Sequence, residues 1–70
     1  DCILGGFSHV APGAVLCGNV EIGNGSFIGA NSVIKQGVKI GHNVTVGAGA
    51  VVINDVLDNT IVAGNPSKTL

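Results

Sequence analysis

The sequence of 70 residues contains no Trp, Tyr or Met, only two Phe, and charged residues at 10% of its positions. A globular domain of this size normally needs an aromatic core, disulfides or a metal. The net charge of −1 leaves no basic patch for phosphate contacts, which argues against nucleic-acid binding. We therefore expect the fold to depend on partners, either further coils of the same kind, a trimer, or both.

Long apolar runs are also missing. Gly and polar residues interrupt every stretch well before the length of about 20 residues that a membrane span needs. No charged segment precedes an apolar one, so the sequence shows no signal peptide, and we predict a cytoplasmic protein without a membrane partner. The chain lacks an initiator Met and starts inside a repeat, so we expect a fragment that has lost an N-terminal part.

A repeat of six residues runs through most of the chain. A large aliphatic residue recurs at every sixth position, and a small or β-branched residue follows each one four positions later. The aliphatic positions are Leu4, Val10, Leu16, Ile22, Ile28, Ile34, Ile40, Val46 and Val52. Hexapeptide repeats are typical of parallel β-helices, in which each repeat forms a short strand and a corner.

Three hexads make one triangular coil, so nine hexads predict about three coils of 18 residues. Residues 18 apart then stack in columns, with strands about 4.8 Å apart. One predicted column contains Leu4, Ile22, Ile40 and Asp58. The repeat stops after Leu57, so we predict a β-helix over residues 1–57 and a C-terminal strand and loop over 58–70, with the strand at 60–63.

Two cysteines and one histidine are interpreted as structural. Cys2 and Cys17 are 15 residues apart, out of phase with an 18-residue coil, so we expect them to act as small packing side chains that do not stack. His42 follows Gly41 near a corner and is expected to be solvated. Two His without a third do not form a three-His zinc site, so no metal is predicted.

Three stretches carry a resemblance to a known family. The hexads and the stretch AGNPSK at residues 63–68 resemble the left-handed β-helix acyltransferases. Residues 1–10, with the sequence DCILGGFSHV, and residues 13–23 resemble the active-site coil of the sialic acid O-acetyltransferase and UDP-4-amino-sugar N-acetyltransferase group. The resemblance implies a left-handed, all-β parallel helix that forms a homotrimer with sites between subunits. It also implies acetyl-CoA-dependent transfer to an amine or hydroxyl of a sugar or nucleotide sugar.

The resemblance also implies roles for two polar residues. In that family the catalytic base is a His followed by an acidic residue, and Asp1 matches the acidic residue, which raises the basicity of the His. The base would then lie just upstream, and we expect the 70 residues alone to be inactive. His9, which we place near a corner, is expected to contact acetyl-CoA at the thioester end.

The expected acetyl-CoA contacts continue along the axis. By resemblance, the backbone at Ala30 and Ala48 binds acetyl-CoA. The period places these two residues in one column and Gly29 and Gly47 in the next, and small residues in adjacent columns should leave a shallow groove. Lys68, in a tail loop that closes over CoA, is expected to lie near the phosphates as a point charge.

Two other interpretations stay open. A non-catalytic, trimerising β-solenoid needs only the repeats, but it leaves His9 and the tail without a role. Another enzyme of the same fold, such as a serine acetyltransferase, would share the repeat. A zinc carbonic anhydrase on this fold is disfavoured because the His ligands are missing.

Overall fold

The computed structural model describes all residues from 1 to 70, and every regular element in it is a β-strand. The strands have two or three residues each, because a corner interrupts the extended backbone after every short segment. They are β1 (Ile3–Leu4), β2 (His9–Val10), β3 (Val15–Leu16), β4 (Glu21–Ile22), β5 (Phe27–Ile28), β6 (Val33–Ile34), β7 (Lys39–Ile40), β8 (Thr45–Val46), β9 (Val51–Val52), β10 (Ile61–Ala63) and β11 (Lys68–Thr69). No helix of the length and apolarity required to cross a membrane is present.

The strands stack into three sheets that form the faces of a solenoid. The first sheet contains β1, β4 and β7, the second contains β2, β5, β8, β10 and β11, and the third contains β3, β6 and β9. Stacked strands are parallel with a register of 18 residues, as in the pairing of Ile3 with Glu21 and of Val10 with Ile28. The prediction of an all-β solenoid of about three coils is confirmed, and its left hand stays a prediction.

The aliphatic residue of each hexad points into the solenoid and builds the core. Ile28 and Ile34, for example, are 0% exposed. The residue four positions later is the second inward position, and it is a buried Ser at position 26. The Ser26 hydroxyl donates to the carbonyl oxygen of Gly41 at 2.6 Å and accepts from the amide of Val44 at 2.9 Å. The core therefore holds a polar side chain without leaving it unpaired.

Left-handed backbone conformations occur at one fixed place in the corners, the third residue after the aliphatic one. With one exception in the repeat, Asn or Gly occupies this place, because these residues adopt a positive φ at the least cost. The Asn and Gly positions are Gly13, Asn19, Gly25, Asn31, Gly37, Asn43 and Gly49. The exception is Phe7, which has a φ of 58° and a side chain that is 100% exposed.

Side chains join successive coils at the first corner, which consists of residues 5–7, 23–25 and 41–43. The amide of Gly6 donates to Asn24 Oδ1 at 2.8 Å, the amide of Asn24 to His42 Nδ1 at 2.7 Å, and the amide of His42 to Asp58 Oδ1 at 2.8 Å. The expectation that His42 is only solvated is therefore wrong. Its ring is exposed, but Nδ1 takes the place of an amide oxygen in this ladder.

The last coil is two residues shorter than the others. Val56 pairs with Ile40, and β10 pairs with β8 at the same offset, so the register falls from 18 to 16 residues. The predicted stacking of Asp58 on Ile40 is therefore wrong, because Val56 takes that inward position and Asp58 caps an amide outside the core. The strand predicted at residues 60–63 is present as Ile61–Ala63.

Cys2 and Cys17 lie closer together than the phase argument predicted. The Cys2 thiol donates to the carbonyl oxygen of Cys17 at 3.3 Å, and both thiols are free. A separation of 15 residues is one coil less the three residues that cross a corner, so it brings two residues together on adjacent coils. Ser26 and Gly41 are related in the same way.

Replacing His42 tests the ladder at the first corner. His42→Ala leaves the Asn24 amide without its acceptor and should lower the free energy of unfolding by about 1 kcal/mol. His42→Asn supplies an amide oxygen, as Asn24 does one coil earlier, and should restore most of that loss. Urea unfolding of both variants measures the difference, and equal losses would contradict the role of Nδ1.

Candidate functional site

The second corner places the predicted acetyl-CoA contacts on one edge of the solenoid. This corner consists of residues 11–13, 29–31 and 47–49, and each segment follows a strand of the second sheet. Ala30 follows β5 and Ala48 follows β8, one coil further on, with Gly29 and Gly47 directly before them. The column arrangement expected from the period is therefore present.

Two amide groups at the second corner donate to no acceptor in the chain. The neighbouring carbonyl groups are used between coils, since the Ala30 carbonyl accepts from the amide of Gly49 at 2.8 Å. The N–H groups of Ala30 and Ala48 make no hydrogen bond, and Pro12 in the same column has no N–H. At the first corner, the equivalent amides are capped by the side chains of the ladder. Alanine offers no such cap, so two backbone donors remain available for a ligand carbonyl.

His9 lies in β2, where its side chain is exposed on the outer surface of the second sheet. The expectation that it sits near a corner is wrong, because it is one of the two extended residues of its hexad. Its ring stacks on Phe27 with the centroids 5.2 Å apart and the planes 2° from parallel. Phe27 is 42% exposed and holds the imidazole from one side. Sequence reasoning did not assign Phe27 to the site, although the 18-residue period already pairs it with His9.

Lys68 lies at the far end of the same edge. The tail does not form a free loop, as expected, but turns at residues 64–67 and returns as β11, antiparallel to β10. In this hairpin Lys68 pairs with Ala63, whose Cβ lies 3.1 Å from the position a Cβ would take at Gly47. The exposed Lys68 therefore continues the column of Gly29 and Gly47 beyond the last coil.

Gly29 and Gly47 have steric reasons to be glycine. A Cβ at Gly29 would lie 2.6 Å from the amide nitrogen of Ala48 and 2.6 Å from the carbonyl oxygen of Val46, both backbone atoms of the next coil. At Gly47 the nearest atom would be a side-chain carbon at 3.1 Å. The stacking of coils therefore explains Gly29 without any ligand, and it explains Gly47 less strictly.

The third corner, residues 17–19, 35–37 and 53–55, lies away from this edge. Asp1 is exposed and stands one coil before Asn19 at this corner. The amides of Gly18 and Gln36 also donate to no group in the chain. Sequence reasoning missed these two donors. Their signal is the same as at Ala30, a second corner residue whose neighbour on the next coil offers no acceptor to the amide.

A single chain does not enclose a pocket at the second corner. The surface hollows lie at the first corner, beside the C-terminal hairpin and on the first sheet. The predicted shallow groove along Ala30 and Ala48 is therefore wrong for one chain, because the coils stack too evenly to leave a depression. The structure also gathers no three His, Cys, Asp or Glu side chains into a metal site.

Comparison with known families places the chain. The family described as bacterial transferase hexapeptide (six repeats) matches residues 1–36 and again residues 19–54. These two matches together span most of the chain. The chain belongs to this hexapeptide transferase family.

Solved structures with the same fold include bacterial acetyltransferases. The acetyltransferase domain of PglB from Neisseria gonorrhoeae is 48% identical with a TM-score of 0.99, over 100% of this chain and 34% of that one. PerB from Caulobacter crescentus, solved with CoA and GDP-perosamine, is 38% identical with a TM-score of 0.99, over 100% and 34%. WeeI from Acinetobacter baumannii is 39% identical with a TM-score of 0.95, over 100% and 35%. The chain spans about a third of the length of these relatives.

Gly29→Ala tests the close approach of the coils at the second corner. The added Cβ meets backbone atoms that cannot move aside, so we expect a loss of about 2 kcal/mol or more of unfolding free energy. Gly18→Ala is the matched control, because its nearest neighbour would be a side-chain carbon at 3.9 Å. Thermal unfolding measures both. Similar melting temperatures for the two variants would contradict the steric account.

Proposed function

We propose that this chain is the acetyl-CoA-binding solenoid of an acetyltransferase that modifies an amine or hydroxyl of a sugar or nucleotide sugar. The observation that carries the proposal is the row of free amides at Ala30 and Ala48, in line with His9 at one end and Lys68 at the other. The related PglB domain has been solved with acetyl-CoA, and PerB with CoA and GDP-perosamine. Both resemble the present chain over its whole length.

The edge has the dimensions of an extended ligand. From β2 through β5, β8 and β10 to β11 there are four strand spacings of about 4.8 Å, or roughly 19 Å in all. A pantetheine arm is long and thin, with amide carbonyls that accept from backbone N–H groups. We place its thioester end near His9 and its phosphates near Lys68, with Ala30 and Ala48 between them. Residues 58–70 then serve as the phosphate side of the site.

Acetyl transfer needs a base for the acceptor's proton and donors for the developing oxyanion. The acceptor's nitrogen or oxygen attacks the thioester carbon, the C–S bond breaks, and CoA leaves as the thiol. In this proposal the base is a histidine that precedes Asp1, as the family resemblance implies, and Asp1 orients it and raises its basicity. The 70 residues alone supply the CoA side of the reaction and are expected to be inactive.

The site requires two copies of the chain. Asp1 and His9 are eight residues apart in a coil of 18, so they lie on opposite sides of one solenoid. A base beside Asp1 can therefore approach a thioester at His9 only if it belongs to a neighbouring copy. The missing pocket at the second corner supports the same view, because a neighbour would provide the second wall. We propose a homotrimer, the smallest ring in which every copy gives one Asp1 side and one His9 side to separate neighbours.

Ala30→Pro tests whether a backbone donor binds the ligand. Pro12 occupies the same column, so this corner accepts proline, and the variant should fold normally while losing only the N–H. We expect acetyl-CoA affinity to fall about fivefold, the value of one hydrogen bond. Calorimetry on the assembled protein measures this. Unchanged affinity would remove Ala30 from the site, and no acetyl-CoA binding by the wild-type assembly would favour a non-catalytic solenoid.

His9→Ala tests the thioester end. The variant removes the ring that stacks on Phe27 and should weaken acetyl-CoA binding several-fold without lowering stability by more than about 1 kcal/mol, since His9 is exposed. Glu21→Ala is the control, because Glu21 has the same outward place in a strand of the first sheet. If the two variants bind acetyl-CoA equally well, His9 has no part in the site.

A further inference from the structure

Phe7 is the residue least explained by the fold. It takes the left-handed corner position with a φ of 58°, which a bulky side chain rarely adopts. It is also 100% exposed, so no contact within the chain offsets the strain. The equivalent positions on the next two coils are Gly25 and Asn43, which adopt this conformation easily. A strained and fully exposed aromatic side chain indicates a contact that a single chain does not make.

The proposed site determines which side of the solenoid faces the other copies. Asp1 and His9 divide a coil into two arcs, one through residues 2–8 and one through residues 10–18. In a three-fold ring, the Asp1 side meets one neighbour and the His9 side meets the other. One of the two arcs must therefore face the three-fold axis, and the other must face solvent.

Access for acetyl-CoA assigns the two arcs. The second corner, with Ala30 and Ala48, belongs to the arc that contains residues 10–18. Its ligand carries a bulky nucleotide that must enter from solvent, so this arc faces outwards. The arc of residues 2–8 is then the inner one, and it contains Phe7.

The inner arc has the chemistry of a buried contact at its first coil. Besides Phe7, it presents Ile3, the outward residue of β1, which is 64% exposed. The outward residues on the following coils of the same sheet are Glu21 and Lys39, which have opposite charges and impose no net repulsion between copies. The outward column of the first sheet thus begins apolar and becomes polar with distance along the axis.

We propose that the Phe7 side chains of three copies pack against one another at the three-fold axis and hold the inner ends of the subunits together. This inference rests on the proposed function, because the positions of Asp1 and His9 set the orientation of each copy. The strain at Phe7 then has a reason: the left-handed corner turns the ring outwards, away from its own core and towards the partners.

Cysteine cross-linking tests the position of Phe7. In the full-length protein, with Cys2→Ser and Cys17→Ser to remove the native thiols, Phe7→Cys should form a disulfide between copies when copper phenanthroline takes two electrons and two protons from a thiol pair. A dimer band on a non-reducing denaturing gel is the expected result. Asn31→Cys is the matched control, since it has the same corner position and a φ of 58° on the outer arc. No cross-link at Phe7→Cys, or a stronger one at Asn31→Cys, would overturn the inference.

Phe7→Asn provides a second test that does not depend on oxidation. Asparagine relieves the strain, so the variant should fold at least as well as the wild type, while the dissociation constant of the trimer rises at least tenfold in sedimentation velocity. A trimer of unchanged affinity would overturn the inference. In that case acetyl-CoA binding by the same trimer would leave the proposed function intact, whereas a wild-type trimer without acetyl-CoA binding would remove the proposed function itself.

Discussion

The backbone hydrogen bonds between stacked coils are the constraint on which the rest of the structure depends. Strands of two or three residues have no stability alone, so each coil exists only because its amides and carbonyls pair with the coils beside it. Pairing at strand spacing brings backbone within 2.6 Å of where a Cβ at Gly29 would lie. It also keeps every inward residue on the inward side, because a slip of one residue would turn the aliphatic columns outwards.

The three corners share one backbone path but differ in what they do with the amide of their second residue. At the first corner, Asn24, His42 and Asp58 cap these amides and bind the coils to one another. At the second corner, Ala30 and Ala48 leave them free. A single kind of repeat thus yields a closed edge and an open one, and the choice depends only on whether the side chain carries an acceptor. Function in this fold is therefore added by removing a structural hydrogen bond.

The core and the columns could be predicted because they follow from the period alone. Ile28 and Val46 pair as the spacing requires, and the strand at Ile61–Ala63 begins within a residue of its expected place. The errors fall where the chain departs from the period or crosses between coils. The two-residue shortening moved Asp58 out of the core, and the diagonal step across a corner joined Cys2 to Cys17. Neither effect is visible when positions are compared only in multiples of six.

The sequence by itself determined the solenoid, its inward residues and the alignment of Ala30 with Ala48, because a strict period leaves one way to bury every aliphatic side chain. Only the tertiary structure decided which amides remained free, since that depends on which side chain of the next coil lies opposite each corner. It also placed His9 in a strand against Phe27 and continued the open edge through the hairpin to Lys68. These relations join residues from separate coils, and their distances exist only once the coils have stacked.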